Sequence, residues 1–232
     1  NFSLLLLLFK GRIRDFSKAS EMRFLGGLVV ITVPILSGFL VAGGKTLGEG
    51  IRLSIFNAFS ALSTTGYATC SYNDWPETAL AVMILLMIIG GGLGSTAGGI
   101  KLARVCILMK NLVRNIRKKM MPDRTVLLTY YHRGTEKELL ENEQIEEAST
   151  YAGCYILIYI LGTVLLTFFS GCTLVQGAFE FASSLGTVGL SIGVTNSNTS
   201  TICLLIEIVG MVLGRLEIFV IFKALKKNKE KS

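Results

Sequence analysis

The sequence is poor in charge, holds a single histidine, and has no paired cysteine motif. Of 232 residues only 17% are charged, against about 25% in an ordinary soluble domain, while 51% are apolar and the mean hydropathy is +0.58. That balance disfavours a cytosolic enzyme, a disordered tail and a collagenous or repeat fibre. His132 stands beside Arg133 with no acid or cysteine pattern around it, and reads as a surface residue. The sequence has no Ser/His/Asp arrangement, paired-carboxylate site or metal-ligand cluster, so neither an enzyme nor a covalently bound cofactor is expected. The five cysteines, Cys70, Cys106, Cys154, Cys172 and Cys203, are odd in number and never spaced C-x-x-C. They suggest neither a disulfide framework nor a zinc site, and read as small apolar fillers.

What the chain does have is long apolar runs. Phe24 to Ala42 is broken only by Thr32, Pro34 and Ser37, and as a helix measures about 28 Å, close to a bilayer core of about 30 Å. Gly43-Gly44-Lys45 ends it. Ile51 to Leu62 then forms an apolar segment of only 12 residues, about 18 Å as a helix, which enters a membrane without crossing it. A further span begins at Glu77 and runs into Gly90-Gly91-Gly92-Leu93-Gly94-Ser95-Thr96-Ala97-Gly98-Gly99. Each glycine there costs about 1 kcal/mol relative to alanine in a helix, which predicts an interrupted span. Ala148 to Phe169 is the next span, Leu174 to Leu185 a second half-length segment, and Thr201 to Phe222 the last span. Glu136 to Glu147 reads as an acidic, helix-prone patch in the one substantial loop.

Lys and Arg number five in residues 1–23, ten in 101–147 and five after Phe222. The positive-inside rule therefore puts the N-terminal region, the long loop and the C-terminal tail in the cytoplasm of a multi-pass protein of the cell (inner) membrane, surrounded by lipid. Both half-length segments must then enter from the outer face. Nucleic-acid binding has no supporting motif.

A shift of 123 residues lays Phe56 to Tyr67 over Phe179 to Leu190, matching Phe, Ser, Leu, Thr and Gly. Both halves thus follow one plan: span, half-length helix, Thr-x-Gly stretch, span. Irregular backbone at membrane depth is tolerated where it is buried in protein or lines a watery cavity. Ordinary surface turns remain an alternative for either Thr-x-Gly alone; two in register argue for a pore. Gly66 and Gly189 permit backbone angles that turn neighbouring carbonyls toward an axis, where they replace the water around a monovalent cation. The hydroxyls of Thr64 and Thr187 are candidate ligands at the inner end.

Ser63-Thr64-Thr65-Gly66-Tyr67, the glycine-rich run through Ile100-Lys101, and Gly214-Arg215-Leu216-Glu217-Ile218-Phe219 together resemble the Trk/Ktr/HKT superfamily of potassium transporters, especially bacterial TrkH-type subunits. The resemblance implies an all-α membrane protein of tandem span–pore-loop–span repeats of the potassium-channel-like type. Four such repeats surround one pore in that family, and this chain resembles the third and fourth. Residues 1–23 then hold the end of a preceding helix and a cytoplasmic linker, 24–119 one pore repeat, 120–147 a cytoplasmic loop, and 148–232 the second repeat with its basic tail.

On that resemblance Thr64, Thr65, Gly66 and Tyr67 match the third filter strand, and Gly186, Thr187, Val188, Gly189 and Leu190 the fourth. Gly90, Gly91, Gly92, Gly94, Ser95, Thr96, Gly98 and Gly99 match the intramembrane gating loop; helix packing through Gly90, Gly94 and Gly98 is the competing reading. Arg215, opposite Gly92 under the same shift, is expected to hydrogen-bond loop carbonyls and oppose cation passage when the gate is shut, with a structural pair to Glu217 or Glu207 as the alternative. The implied function is potassium uptake, with sodium as a second candidate ion. The implied partners are a second pore subunit and a cytosolic nucleotide-binding regulatory subunit of the TrkA/KtrA type. A sodium- or proton-coupled secondary transporter and a non-conducting truncated subunit are the alternatives. Two filter strands do not surround an ion as four do, so the expectation is that two repeats precede Asn1 or that a second chain completes the pore.

Overall fold

The computed structural model of the chain describes residues 19–92, 95–121, 129–133 and 136–215. Helix α1 covers Ser20–Ala42 and holds its two polar interruptions internally: Thr32 Oγ1 donates to the Leu28 carbonyl at 2.8 Å and Ser37 Oγ to that of Pro34 at 3.0 Å. A hydroxyl satisfied along its own helix is tolerated in an apolar setting. After a short turn, α2 spans Leu47–Ser63, longer at its start than the expected 12-residue segment. The extra turn comes from a capping box, in which the Thr46 side chain accepts from Glu49 N while the Glu49 carboxylate accepts from Thr46 N. The second half-length helix, α6 at Leu174–Leu185, begins with the same device, built from Thr173 and Gln176.

Helix α3, Glu77–Ile89, stops at Gly90, and α4, Leu102–Lys119, resumes after the glycine-rich segment. The break closes on itself. Ile100 N donates to Ile88 O, Lys101 N to Ile89 O, and Leu102 N to Gly91 O, each at 2.9 Å, so α4 starts beside the point where α3 ends. Helix α5, Asn142–Ser170, begins six residues before the expected span, and α7 is described from Thr201 to Arg215. Residues 216–232 lie outside the described part, including Glu217, the rest of the last expected span and the basic tail, as do residues 1–18.

The long loop differs from expectation. Tyr130–Arg133 (β1) and Glu136–Leu139 (β2) pair antiparallel, Tyr131 opposite Glu138, so the first part of the acidic patch is a strand, while its second part, from Asn142, is helical as expected. The aromatic pair at 130 and 131 favours a strand, and burial of Tyr131 with Leu140 against Ala103 and Cys106 of α4 secures it. His132 lies in β1 opposite Lys137; its side chain is outside the described part.

Two apolar clusters join the halves. In one, Leu36 and Leu40 of α1, Leu62 of α2, and Met83 and Met87 of α3 meet Phe179 and Ala182 of α6. In the other, Tyr151 and Tyr155 of α5 pack with Phe181 and Leu185 of α6 and with Cys203 of α7. Outward faces stay apolar: Val30 and Ile31 on α1, Leu157, Leu161 and Phe168 on α5, and Leu205 and Val209 on α7 are exposed. Helices α1 and α5 are long and apolar enough to cross a membrane.

Candidate functional site

The two half-length helices end in the same chain reversal. Thr64 N donates to Ala61 O and Thr65 N to Ser60 O; 123 residues on, Thr187 N donates to Ser184 O and Val188 N to Ser183 O. Thr64 and Thr187 both take left-handed backbone, φ 51° and 50°, and Gly66 and Gly189 follow at φ 76° and 92°. A left-handed threonine is uncommon and is held here by the turn bonds around it.

The segments then run side by side. A Cβ on Gly66 would overlap the carbonyl oxygen of Val188, and the Cα of Gly66 lies 3.9 Å from where a Cβ on Gly189 would sit. Only glycine allows two main chains this close at positive φ. Beyond Gly186 the fourth segment is extended: Val188, Leu190 and Ile192 point into the core while Gly189, Ser191 and Gly193 face out. The third segment differs at the matching position, because Tyr67 is 71% exposed whereas Leu190 is buried. Thr187 Oγ1 is buried without a hydrogen-bond partner among the described residues, an oxygen available to a ligand. Thr65 Oγ1 lies 2.6 Å from Ser63 Oγ.

The glycine-rich segment lies against the inner ends of both reversals. Gly98 is packed so closely on Gly186 that a Cβ there would strike the Gly186 carbonyl, with Thr187 Oγ1 at 2.8 Å, and a Cβ on Gly91 would lie 3.5 Å from Leu62 O. Gly90 and Gly99, at φ 70° and 81°, pack backbone to backbone. Ser95 Oγ donates to Gly92 O at 2.6 Å. From α7, Arg215 Nη1 donates to the carbonyl of Thr96. Glu207 accepts instead from Thr195 Oγ1 at 2.5 Å. Gly94 lies outside the described residues. A cavity of about 750 Å³ follows the fourth segment between Glu180, Thr187, Gly189 and Arg215.

Several residues that hold this arrangement carried no role in the sequence reading. Ser60 Oγ donates to Tyr67 O at 2.7 Å, and its counterpart Ser183 Oγ accepts from Gly189 N at 3.1 Å. Buried Glu180 accepts from Ser191 Oγ, Ile192 N and Thr195 N at 2.6, 3.1 and 2.9 Å. Its repeat partner Asn57 donates to Leu53 O and accepts from Tyr72 OH at 2.7 Å. Burial, and secondarily Cys70, push the Tyr72 hydroxyl above its ordinary value, which keeps it a donor. The signal for these braces was a polar residue at the same place in each apolar half helix. Glu21 had no such signal. It is buried at the start of α1, accepts from Tyr131 OH at 3.1 Å, and lies beside Gly92, so it links the hairpin to the glycine-rich segment.

Residues 28–231 match the family model of TrkH, described as a cation transport protein. An uncharacterized cation transporter of Methanocaldococcus jannaschii is 32% identical over 165 residues, covering 71% of this chain and 34% of its own length. The Trk system potassium uptake protein TrkH of Halomonas elongata is 26% identical over 86% of this chain and 40% of its own length. The Ktr system potassium uptake protein B of Bacillus subtilis is 27% identical over 88% of this chain and 45% of its own. The chain thus spans less than half the length of these relatives. The crystal structure of the potassium transporter TrkH from Vibrio parahaemolyticus superposes with a TM-score of 0.80 at 22% identity, over 97% of this chain and 48% of that one; this likeness establishes the fold.

Proposed function

The chain belongs to the TrkH family of cation transport proteins, and from that premise we propose that residues 64–67 and 186–190 form two sides of a pathway for dehydrated potassium ions moving down their electrochemical gradient. The observation that carries the reading is the paired reversal: left-handed Thr64 and Thr187, then Gly66 and Gly189, with the two main chains in contact. Carbonyl dipoles at that spacing supply oxygen ligands in place of water, and the buried Thr187 hydroxyl supplies another at the inner end. The names of the Halomonas and Bacillus relatives support potassium as the ion. A filter with one glycine per segment leaves sodium a competing ion.

The remaining sides of the pathway come from two further repeats in the same polypeptide or from a second copy. The glycine-rich segment is the gate. It sits under both reversals, and Arg215 holds it through Thr96 O while placing a positive charge in the ion's path. The basic linker, hairpin loop and tail face the cytoplasm, and the hairpin side is the contact for a nucleotide-binding regulatory subunit; the pore subunit works as a homodimer.

The test is rubidium uptake by cells that lack their own potassium uptake and express the full-length protein. Uptake that follows external rubidium and is lost on substitution at Gly66 supports the pathway. Sodium uptake that depends on a second solute overturns it in favour of a coupled transporter.

A further inference from the structure

A second cavity, of about 640 Å³, opens between the first turns of α1, one face of α4 and the start of β1. Arg23, Lys110, Arg114 and Arg117 line it, and no carboxylate among the described residues does. Lys110 is anchored by neutral acceptors only: its Nζ donates to Ser20 Oγ at 2.9 Å and to Tyr130 O at 2.8 Å. The Tyr131 ring centroid lies 5.3 Å from the same ammonium, so its recorded hydrogen-bond and ring partners are uncharged.

The other wall is apolar, with Phe24, Met109 and Val113. Phe24 is where the apolar stretch of α1 begins, and Arg23 precedes it, which sets this cavity at headgroup depth. Helix α4 leaves Met109, Leu112, Val113 and Ile116 exposed, an apolar stripe at helical spacing beside its arginines and lysines. A face with that pattern suits contact with the membrane interface. Inorganic phosphate has the charge for the cations but nothing to place against the stripe.

We infer that this cavity binds the phosphoryl headgroup of an anionic phospholipid of the cytoplasmic leaflet, with α4 embedded beside it. The site rests on the membrane orientation proposed above and not on ion conduction. Lipid binding is measured without flux, so the two readings fail separately.

The experiment is native mass spectrometry of the full-length protein in detergent micelles, titrated with phosphatidylglycerol or phosphatidylcholine. Phosphatidylglycerol should bind preferentially. The double substitution Arg114→Gln/Arg117→Gln should weaken it about thirtyfold, from the loss of two charges at the surface. Lys118→Gln/Lys119→Gln, which removes equal charge outside the cavity, should leave it nearly unchanged. Equal weakening by both pairs reduces the site to diffuse attraction and overturns the inference. So does equal binding of the two lipids. Displacement of phosphatidylglycerol by excess inorganic phosphate makes the site one for free phosphate and overturns it as well.

Discussion

The carbonyl oxygen of Val188 fills the space that a side chain on Gly66 would need, so one repeat's main chain is seated directly on the other's. Gly189, its counterpart, has only the Cα of Gly66 at 3.9 Å from its Cβ position. The two glycines match by sequence and differ in what surrounds them.

That difference predicts graded effects. Gly66→Ala meets both a collision and a positive φ, and should abolish rubidium uptake. Gly189→Ala meets backbone strain of about 1–2 kcal/mol alone and should retain measurable uptake with weaker preference over sodium. Equal loss in both variants, at equal amounts in the membrane, contradicts the packing argument.

Arg215→Ala removes both the bond to Thr96 O and a positive charge beside the glycine-rich segment. Resting uptake should rise, and Arg215→Lys, which keeps the charge, should lie between it and the unmodified protein. The gating role fails if flux and its regulation are the same in all three.

Glu180 accepts three hydrogen bonds from the strand that leaves the fourth segment. Glu180→Gln replaces one acceptor oxygen with an amide nitrogen, which leaves a buried donor unmet and should destabilise by about 1–3 kcal/mol. A lower melting temperature with reduced discrimination between rubidium and sodium is the expected pair of results. A melting shift with unchanged discrimination would confine Glu180 to stability.

Tyr72 loses a buried bond to Asn57 on substitution by Phe, about 1 kcal/mol. Because burial raises its folded pKa, the unfolded chain releases this proton first as pH climbs past the ordinary tyrosine value of 10.0. Its contribution is therefore complete below that pH and lost above it. Tyr72→Phe should be less stable than the unmodified protein at neutral pH and should lose less stability on going to alkaline pH, as read by thermal melts at both.

Much of this molecule is written locally. Apolar run length marks α1, α5 and the half helix α6, and the 123-residue repeat locates both reversals, because a Thr-x-Gly behind a short apolar helix has few other uses in a membrane. The capping boxes at Thr46 and Thr173 went unread, although Thr-x-x-Glu and Thr-x-x-Gln are sequence signatures of a helix start, and α2 accordingly begins before the expected Ile51. The strand at 136–139 is not written locally. Its charged residues suit a helix in isolation, and burial of Tyr131 against α4 overrides that preference.

By itself, then, the sequence determined the order of spans and half spans among the described residues and the doubling of one plan, consequences of local hydropathy and glycine read along the chain. The bond from Arg215 to a carbonyl of the glycine-rich segment was expected from the repeat. Only the tertiary structure decided that the reversals touch at Gly66 and Val188, that the glycine-rich segment folds back from α3 to α4 beneath them, that Glu180 braces the stretch after the fourth segment, and that Glu21 reaches the glycine-rich segment. Those contacts join residues tens of positions apart, and no local preference encodes which carbonyl a distant side chain will meet.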